Sequence, residues 1–307
     1  MNGSAEKIEF FTTCADTEKF VIVDHFPDDK YERSRIAAIV VSCILLLTMI
    51  SLNGISIITI RRSSQLKSKV CYFFLLLQSI VDLGVGVLGV PLFIYYLSSP
   101  FLSTMNCILI ILAVRITPVI SGFSIITLSA ITLERYIGVL HPFYYKTNVT
   151  KKRILTYVAG SCLIYCPVVP YRTLIRIVLT GMIVVFLIFA TVVYTKIYFV
   201  IQKLVRSERR PACETNENRN ATRQTIRESR HAKSCFFVVI TFALLLIPGT
   251  LAPAFYTKGT IQFFVYVHWT FAVLLLNSCV NSVIFFWTGT LLGNEAIRTL
   301  KSLFSQP

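Results

Sequence analysis

Long apolar stretches separated by short polar ones dominate this chain. Seven of them are candidates for the roughly 20 residues that a helix needs to cross a bilayer: Ile36–Ile60, Val70–Leu97, Cys107–Leu133, Ile154–Val169, Leu174–Val200, Cys235–Tyr256 and Ile261–Trp287. The fourth is short and runs almost directly into the fifth. Merging the two would put Pro167, Pro170, Arg172 and Arg176 near the middle of one helix, where proline breaks the hydrogen-bond ladder and arginine finds no water. The pattern therefore predicts an all-α membrane protein with a seven-helix bundle over residues 35–290. Beyond Trp287, Ala296, Ile297, Leu300, Leu303 and Phe304 recur every three or four residues, with Arg298 and Lys301 opposite. That spacing predicts a short amphipathic helix on the membrane surface within residues 291–307.

Composition supports this solvent. The chain is 55% hydrophobic and 15% charged, with a mean hydropathy of +0.69, whereas a soluble domain carries about 25% charge. The net charge of +15 does not point to nucleic acid, because the basic residues lie in the connections between apolar runs. Arg61, Arg62, Lys67, Lys69, Lys146, Lys151, Lys152, Arg153, Arg298 and Lys301 fall on one side, with the basic linker 203–233; the other side's short connections hold Arg172, Arg176 and Lys258. The positive-inside rule then puts the amino terminus outside. Residues 1–34 are acidic on balance and contain no apolar signal-peptide core, so they are expected to be an extracellular tail, with the first helix as anchor.

Polar residues inside the runs carry the candidate chemistry. Asp82 interrupts the second run, and ionisable groups at that depth are expensive enough to need a role. It is either a carboxyl bonded to a neighbouring helix or part of a cation site. Ser124 in the third run and Asn277, Ser278 and Asn281 in the seventh offer further oxygens, the last three on one helical face. Arg115, Arg172 and Arg176, with His268, lie in the outer parts of their runs, where they either snorkel to headgroups or converge on a negatively charged ligand. Of the nine cysteines, only Cys14, Cys107 and Cys166 reach an oxidising face; Cys107 either pairs with Cys14 or stays free.

Asn53, Asp82, "LERY" (Leu133 to Tyr136) followed by "HPF", Tyr194, Phe242, Pro248 and "NSVIF" (Asn281 to Phe285) occur in one order across six runs. In this the chain resembles the rhodopsin-like (class A) G-protein-coupled receptors over essentially its whole length. It departs from the usual family pattern at Cys162 or Leu163, Phe186, Leu246, Ser282 and Phe285, and the connection between the fourth and fifth runs is almost missing. The resemblance implies a heterotrimeric G protein as partner, an extracellular ligand, and coupling residues at Glu134, Arg135, Tyr136 and Tyr194. It implies an inactive-state ion pair between Arg135 and Glu228, because Glu134 projects about 100° away from Arg135 around the helix and supplies only part of the counter-charge. It also implies a sodium ion held by Asp82, Ser124, Asn277, Ser278 and Asn281, and no other cofactor. Thr117 stands where receptors for biogenic amines carry an aspartate, so such a ligand is not expected.

The residues suggest no catalytic constellation and hence no enzyme. An ion-coupled transporter or channel built on Asp82, or a receptor paralogue that does not signal, are the alternatives to a ligand-activated receptor.

Overall fold

The structure, a computed structural model, describes residues 11–15, 19–23, 29–102, 106–168, 171–208, 236–237, 239–245, 261–288 and 290–304. Apart from one two-stranded hairpin it is helical. Strands β1 (Phe11–Ala15) and β2 (Lys19–Val23) pair antiparallel, with Phe11 opposite Val23 and Cys14 opposite Phe20. The segment expected to be only an acidic tail thus holds local sheet. Helix α1 begins at Asp29, so the last six residues of the expected 1–34 tail are helical.

Helix α1 (Asp29–Arg62) opens on Asp29 and Glu32 and closes on Arg61 and Arg62, charges that complement its macrodipole at both ends. At 1.5 Å per residue it is roughly 50 Å long, more than the ~30 Å hydrocarbon core. The short α2 (Ser64–Ser68) leads into α3 (Val70–Gly84), a five-residue π-turn at Val85–Gly89, and α4 (Val90–Ser98). The π-turn has a local cause. Pro91 has no N–H and would clash with the carbonyl four residues back in a regular helix, and the wider turn relieves this.

Helix α5 (Cys107–Leu140) is capped by Asn106, whose Oδ1 accepts from the amides of Ile108 and Leu109. Residues 124–128 are buried without interruption, so α5 is enclosed on every side at that level, while Ile108 and Leu112 nearer its start are exposed. Helix α5 packs on α3, α4, α7 (Lys151–Tyr165) and α8 (Arg172–Glu208); the short, roughly two-turn α6 (Pro142–Asn148) follows it directly. Helix α8 runs six residues, 203–208, into the segment expected to be linker. Helix α9 (Ile261–Thr288) packs along α1, and α10 (Thr290–Phe304) turns back against α1 and α9.

The side-chain distribution is inverted relative to a soluble protein. Leu47, Val185 and Ile188 are more than 60% exposed, while Asn53, Asp82 and Asn281 are 0% exposed. Apolar surface that faces outward and polar groups that face inward are what a hydrocarbon solvent selects. Five helices among the described residues are long and apolar enough to cross a membrane: Asp29–Arg62, Val70–Phe101, Cys107–Leu140, Ile177–Lys203 and Ile261–Phe286. Helix α7 has 15 residues, short for a span. The sixth run is described only at residues 236–237 and 239–245, which are helical.

One glycine sets how α7 meets α5. A Cβ on Gly122 would lie 2.3 Å from Tyr165 Cε1, so the Tyr165 ring occupies a slot that no other residue leaves open. Gly122→Ala is expected to lower the melting temperature of the detergent-solubilised chain by about 5–10 °C, as overpacking of a few kcal/mol does. Tyr165→Leu should restore most of the loss in the double variant. An unchanged melting temperature in Gly122→Ala would show that the slot is loose.

Candidate functional site

The midsection of the bundle holds a buried polar layer. The π-turn begins three residues after Asp82, and α3 carries Asp82 into contact with α9. Ser278 Oγ donates to Asp82 Oδ1 at 2.7 Å, while Gln78 Nε2 (3.1 Å) and Asn281 Nδ2 (3.4 Å) donate to Oδ2. Thr127 Oγ1 on α5 donates in turn to Gln78 Oε1. One turn further along α9, Ser282 Oγ donates to Asn53 Oδ1 at 2.7 Å, and Asn53 Nδ2 donates to the Met49 carbonyl. Four helices, α1, α3, α5 and α9, are thus tied at one depth. Low dielectric strengthens such a network and makes an unpaired member costly.

Two acceptors in this layer are not matched. Asn277 Oδ1 and Asn281 Oδ1 are buried without a hydrogen-bond partner. Beside them lies a cavity with about 40 Å³ open to the centres of water-sized spheres, enough for a water or a small ion. Ser124, Asn277 and Ser278 form its polar wall, and Phe93, Phe242 and Phe271 part of its apolar wall. Of the five residues expected to hold a cation, Asp82, Ser278 and Asn281 are therefore directly bonded together, and Ser124 and Asn277 face the adjoining cavity. Among the described residues no three His, Cys, Asp or Glu come together. The donor set is one carboxylate with neutral oxygens, which suits a hard monovalent cation better than a transition metal.

At the other end of α5 is the acid–base pair. Arg135 Nε donates to Glu134 Oε2 at 2.5 Å, and Nη2 contacts the same oxygen. Tyr145 Oη on α6 donates to Glu134 Oε1 at 2.5 Å. Both side chains of the pair are nearly buried, at 8% and 2% exposure. Glu134 therefore serves Arg135 more completely than the angular argument allowed: the 100° offset holds for the Cα–Cβ bonds, and two long side chains bridge it. Glu228 lies outside the described residues.

Tyr145 is brought to the carboxylate by the break at His141 and Pro142, which starts α6 at once. Burial first, then the Glu134 charge and hydrogen bond, raise its phenol pKa well above the ordinary 10.0. The folded chain thus holds this proton more tightly than the unfolded one. Its contribution is complete below pH 10 and is lost as pH rises beyond that, so the contact is insensitive to physiological pH. The Tyr136 ring lies tilted against His141, with Lys196 Nζ 6.0 Å from its centroid, and Tyr194 is buried against Phe236.

The expected ligand-facing set is only partly described. Arg115 is half-buried on α5. The side chains of Thr117, Arg172 and Arg176 lie outside the described residues. His268 does not line an open site: it is 1% exposed, shares a 3.3 Å hydrogen bond with Tyr96 Oη and packs on the Tyr31 ring. The arginine that organises this end of the bundle is Arg35. Its Nε donates to the Leu97 carbonyl (2.8 Å), Nη2 to the Tyr96 carbonyl (2.5 Å) and Nη1 to Tyr31 Oη (3.0 Å). Cys107 is disulfide-bonded, and β1, which contains Cys14, packs against α5.

Sequence reasoning missed Gln78, Thr127, Ser282, Tyr145 and Arg35. Gln78 was within reach, since it lies four residues before Asp82 on the same face.

Residues 52–176 match the family described as 7 transmembrane receptor (rhodopsin family). A stretch of 167 residues, 53% of this chain, is 25% identical to the muscarinic acetylcholine receptor gar-3 of Caenorhabditis elegans. That stretch corresponds to 27% of the relative's length, so the chain matches about a quarter of it.

Proposed function

We propose that this chain, a rhodopsin-like seven-transmembrane receptor by the match over its residues 52–176, passes an extracellular ligand signal to a cytoplasmic heterotrimeric G protein. The observation that carries the reading is the buried Glu134–Arg135–Tyr145 cluster at the end of α5. A guanidinium held this way is stored rather than used, and movement of the sixth helix would release it toward a protein surface. In this reading α7 and the run Cys235–Tyr256 are the fourth and sixth spans, the amino terminus faces outward at the plasma membrane, and α10 lies on the inner membrane surface. Cys14 is the partner we assign to Cys107.

The ligand is not an ammonium compound in this proposal. The relative's name attaches it to acetylcholine, a quaternary ammonium ester, but Thr117 stands at the position where an acid would neutralise such a cation. The arginines at 115, 172 and 176 favour a ligand with negative charge.

A sodium ion fits the mid-bundle layer, because it would give Asn277 Oδ1 and Asn281 Oδ1 the positive partner they lack. Asp82, Ser124 and Ser278 would complete its oxygens, and the ion would offset the cost of burying the Asp82 charge. Bound sodium would supply only this charge compensation; the chain's own residues hold α3 to α9. Raising sodium should lower basal activity at least severalfold, and Asp82→Asn should remove the dependence. A sodium response that survives in Asp82→Asn would reject the site.

The test of function is guanine-nucleotide exchange on membranes from cells expressing the chain, with each class of Gα and a broad ligand panel. Exchange above that of untransfected membranes is expected for at least one Gα, and Arg135→Ala at equal surface expression should reduce it by an order of magnitude or more. No exchange with any Gα at high surface expression would leave a folded receptor relative that does not signal.

A further inference from the structure

A second cavity lies outside the helix bundle, in the cleft where the first turns of α1 and α9 diverge. It is a groove of about 720 Å³, within the roughly 300–1,000 Å³ typical of small-molecule sites. The base is fixed, because Trp269 Nε1 donates to Ser34 Oγ at 3.0 Å and ties the two helices together. The inner wall is the packed pair Tyr31 and Val265, against Ile261. The rim carries Lys30, Gln262 and Tyr266. From Ile261 to Trp269 is eight residues of helix, so the groove is about 12 Å deep. That depth runs from a headgroup layer into acyl chains.

Charge decides what fits. Among the described residues, Lys30 is the single charged side chain lining the groove. Asp29 and Glu32 share its first turn but project roughly 100° and 200° around α1 from Lys30, whereas Ser34 is about 40° away. The rim therefore offers a cation and neutral donors, while the deeper part offers aromatic and aliphatic surface. Trp269 has its N–H satisfied by Ser34 and leaves its ring 36% exposed.

We propose that this groove binds one anionic glycerophospholipid, with the phosphate at Lys30 and Gln262 and the upper part of an acyl chain along Tyr266 and Trp269. The site requires that α1 and α9 cross the membrane. It does not depend on G-protein coupling, and its test reads binding without signalling.

The chain has two tryptophans, Trp269 and Trp287, so Trp287→Phe leaves Trp269 as the sole reporter. The full chain carrying Trp287→Phe would be placed in nanodiscs doped with a few mole per cent of phospholipid brominated near the carbonyl end of its acyl chains. Brominated phosphatidic acid is expected to reach half-maximal quenching of Trp269 at about a fivefold lower mole fraction than brominated phosphatidylcholine, the preference that one lysine near a membrane surface supplies. Lys30→Gln should remove the preference, Lys30→Arg should keep it, and 1 M salt should collapse it. Equal quenching by the two lipids would mean bulk lipid contact only and would overturn the proposal. So would a preference that persists in Lys30→Gln or in 1 M salt. If Lys30→Gln does not fold, the salt comparison on the Trp287→Phe chain decides.

Discussion

Arg35→Met is expected to lower the melting temperature of the solubilised chain by about 5–15 °C and to deplete it from the cell surface. Arg35 is 1% exposed, yet no carboxylate pairs with it among the described residues. Its counter-charge is a helix end. The carbonyls of Tyr96 and Leu97 belong to the last turn of α4, where the helix dipole is negative and the one local donor is Ser99 Oγ, 2.8 Å from the Tyr96 carbonyl. The guanidinium also lies 5.6 Å and 5.5 Å from the Tyr31 and Tyr96 ring centroids, close enough for cation–π attraction. Removing it leaves the Leu97 carbonyl bare, at about 1–3 kcal/mol, leaves the Tyr96 carbonyl with the Ser99 hydroxyl alone, and forfeits the ring contacts; each kcal/mol is worth about 2–4 °C in a chain of this size. Arg35→Lys should recover less than half, since an ammonium lacks the planar fork that reaches two carbonyls and a hydroxyl together. A methionine variant as stable as the parent would show that water or other groups cap α4 without Arg35.

Arg35 also shows where reading from sequence stops. It precedes an apolar run, where a lone basic residue looks like a membrane-surface anchor. Its role depends on α4 ending beside α1, a contact between residues more than sixty apart in sequence. Asp82 was different. A carboxylate within an apolar run, with Asn277, Ser278 and Asn281 on one face of another, announces a shared layer from spacing alone. Gln78 carries the same spacing signal but no charge, so nothing in the hydropathy pattern singled it out. The hairpin at residues 11–23 was hidden by composition: the acidic balance of the tail outweighed two five-residue strands too short to stand out. Tyr145 was unreadable for a geometric reason, since only the sharp break at His141 and Pro142 returns it to Glu134. The arginines at 172 and 176 were correctly set at the start of a helix, α8. Whether they meet Arg115 depends on side chains that lie outside the described residues.

The second large effect concerns Glu134. If Arg135 is the group released on activation, the carboxylate that holds it sets how much of the chain is active without ligand. Glu134→Gln keeps the shape and removes the charge. A buried charge-assisted hydrogen bond is worth about 1.5–3 kcal/mol, which corresponds to roughly a ten- to hundredfold shift between inactive and active populations. Basal nucleotide exchange should rise by that order, up to the ceiling set by full activation. Tyr145→Phe removes only the bond from the phenol to Oε1 and should raise basal exchange by about tenfold or less. The two changes act on one carboxylate, so the double variant should exceed Glu134→Gln only slightly instead of showing the product of the two effects. Burial of both partners further implies that salt alone will not mimic the substitution, since screening acts mainly on exposed charges. Exchange on membranes at matched surface expression measures all of this. Parental basal exchange in both single variants would mean that Glu134 and Tyr145 hold the end of α5 together and do not gate Arg135.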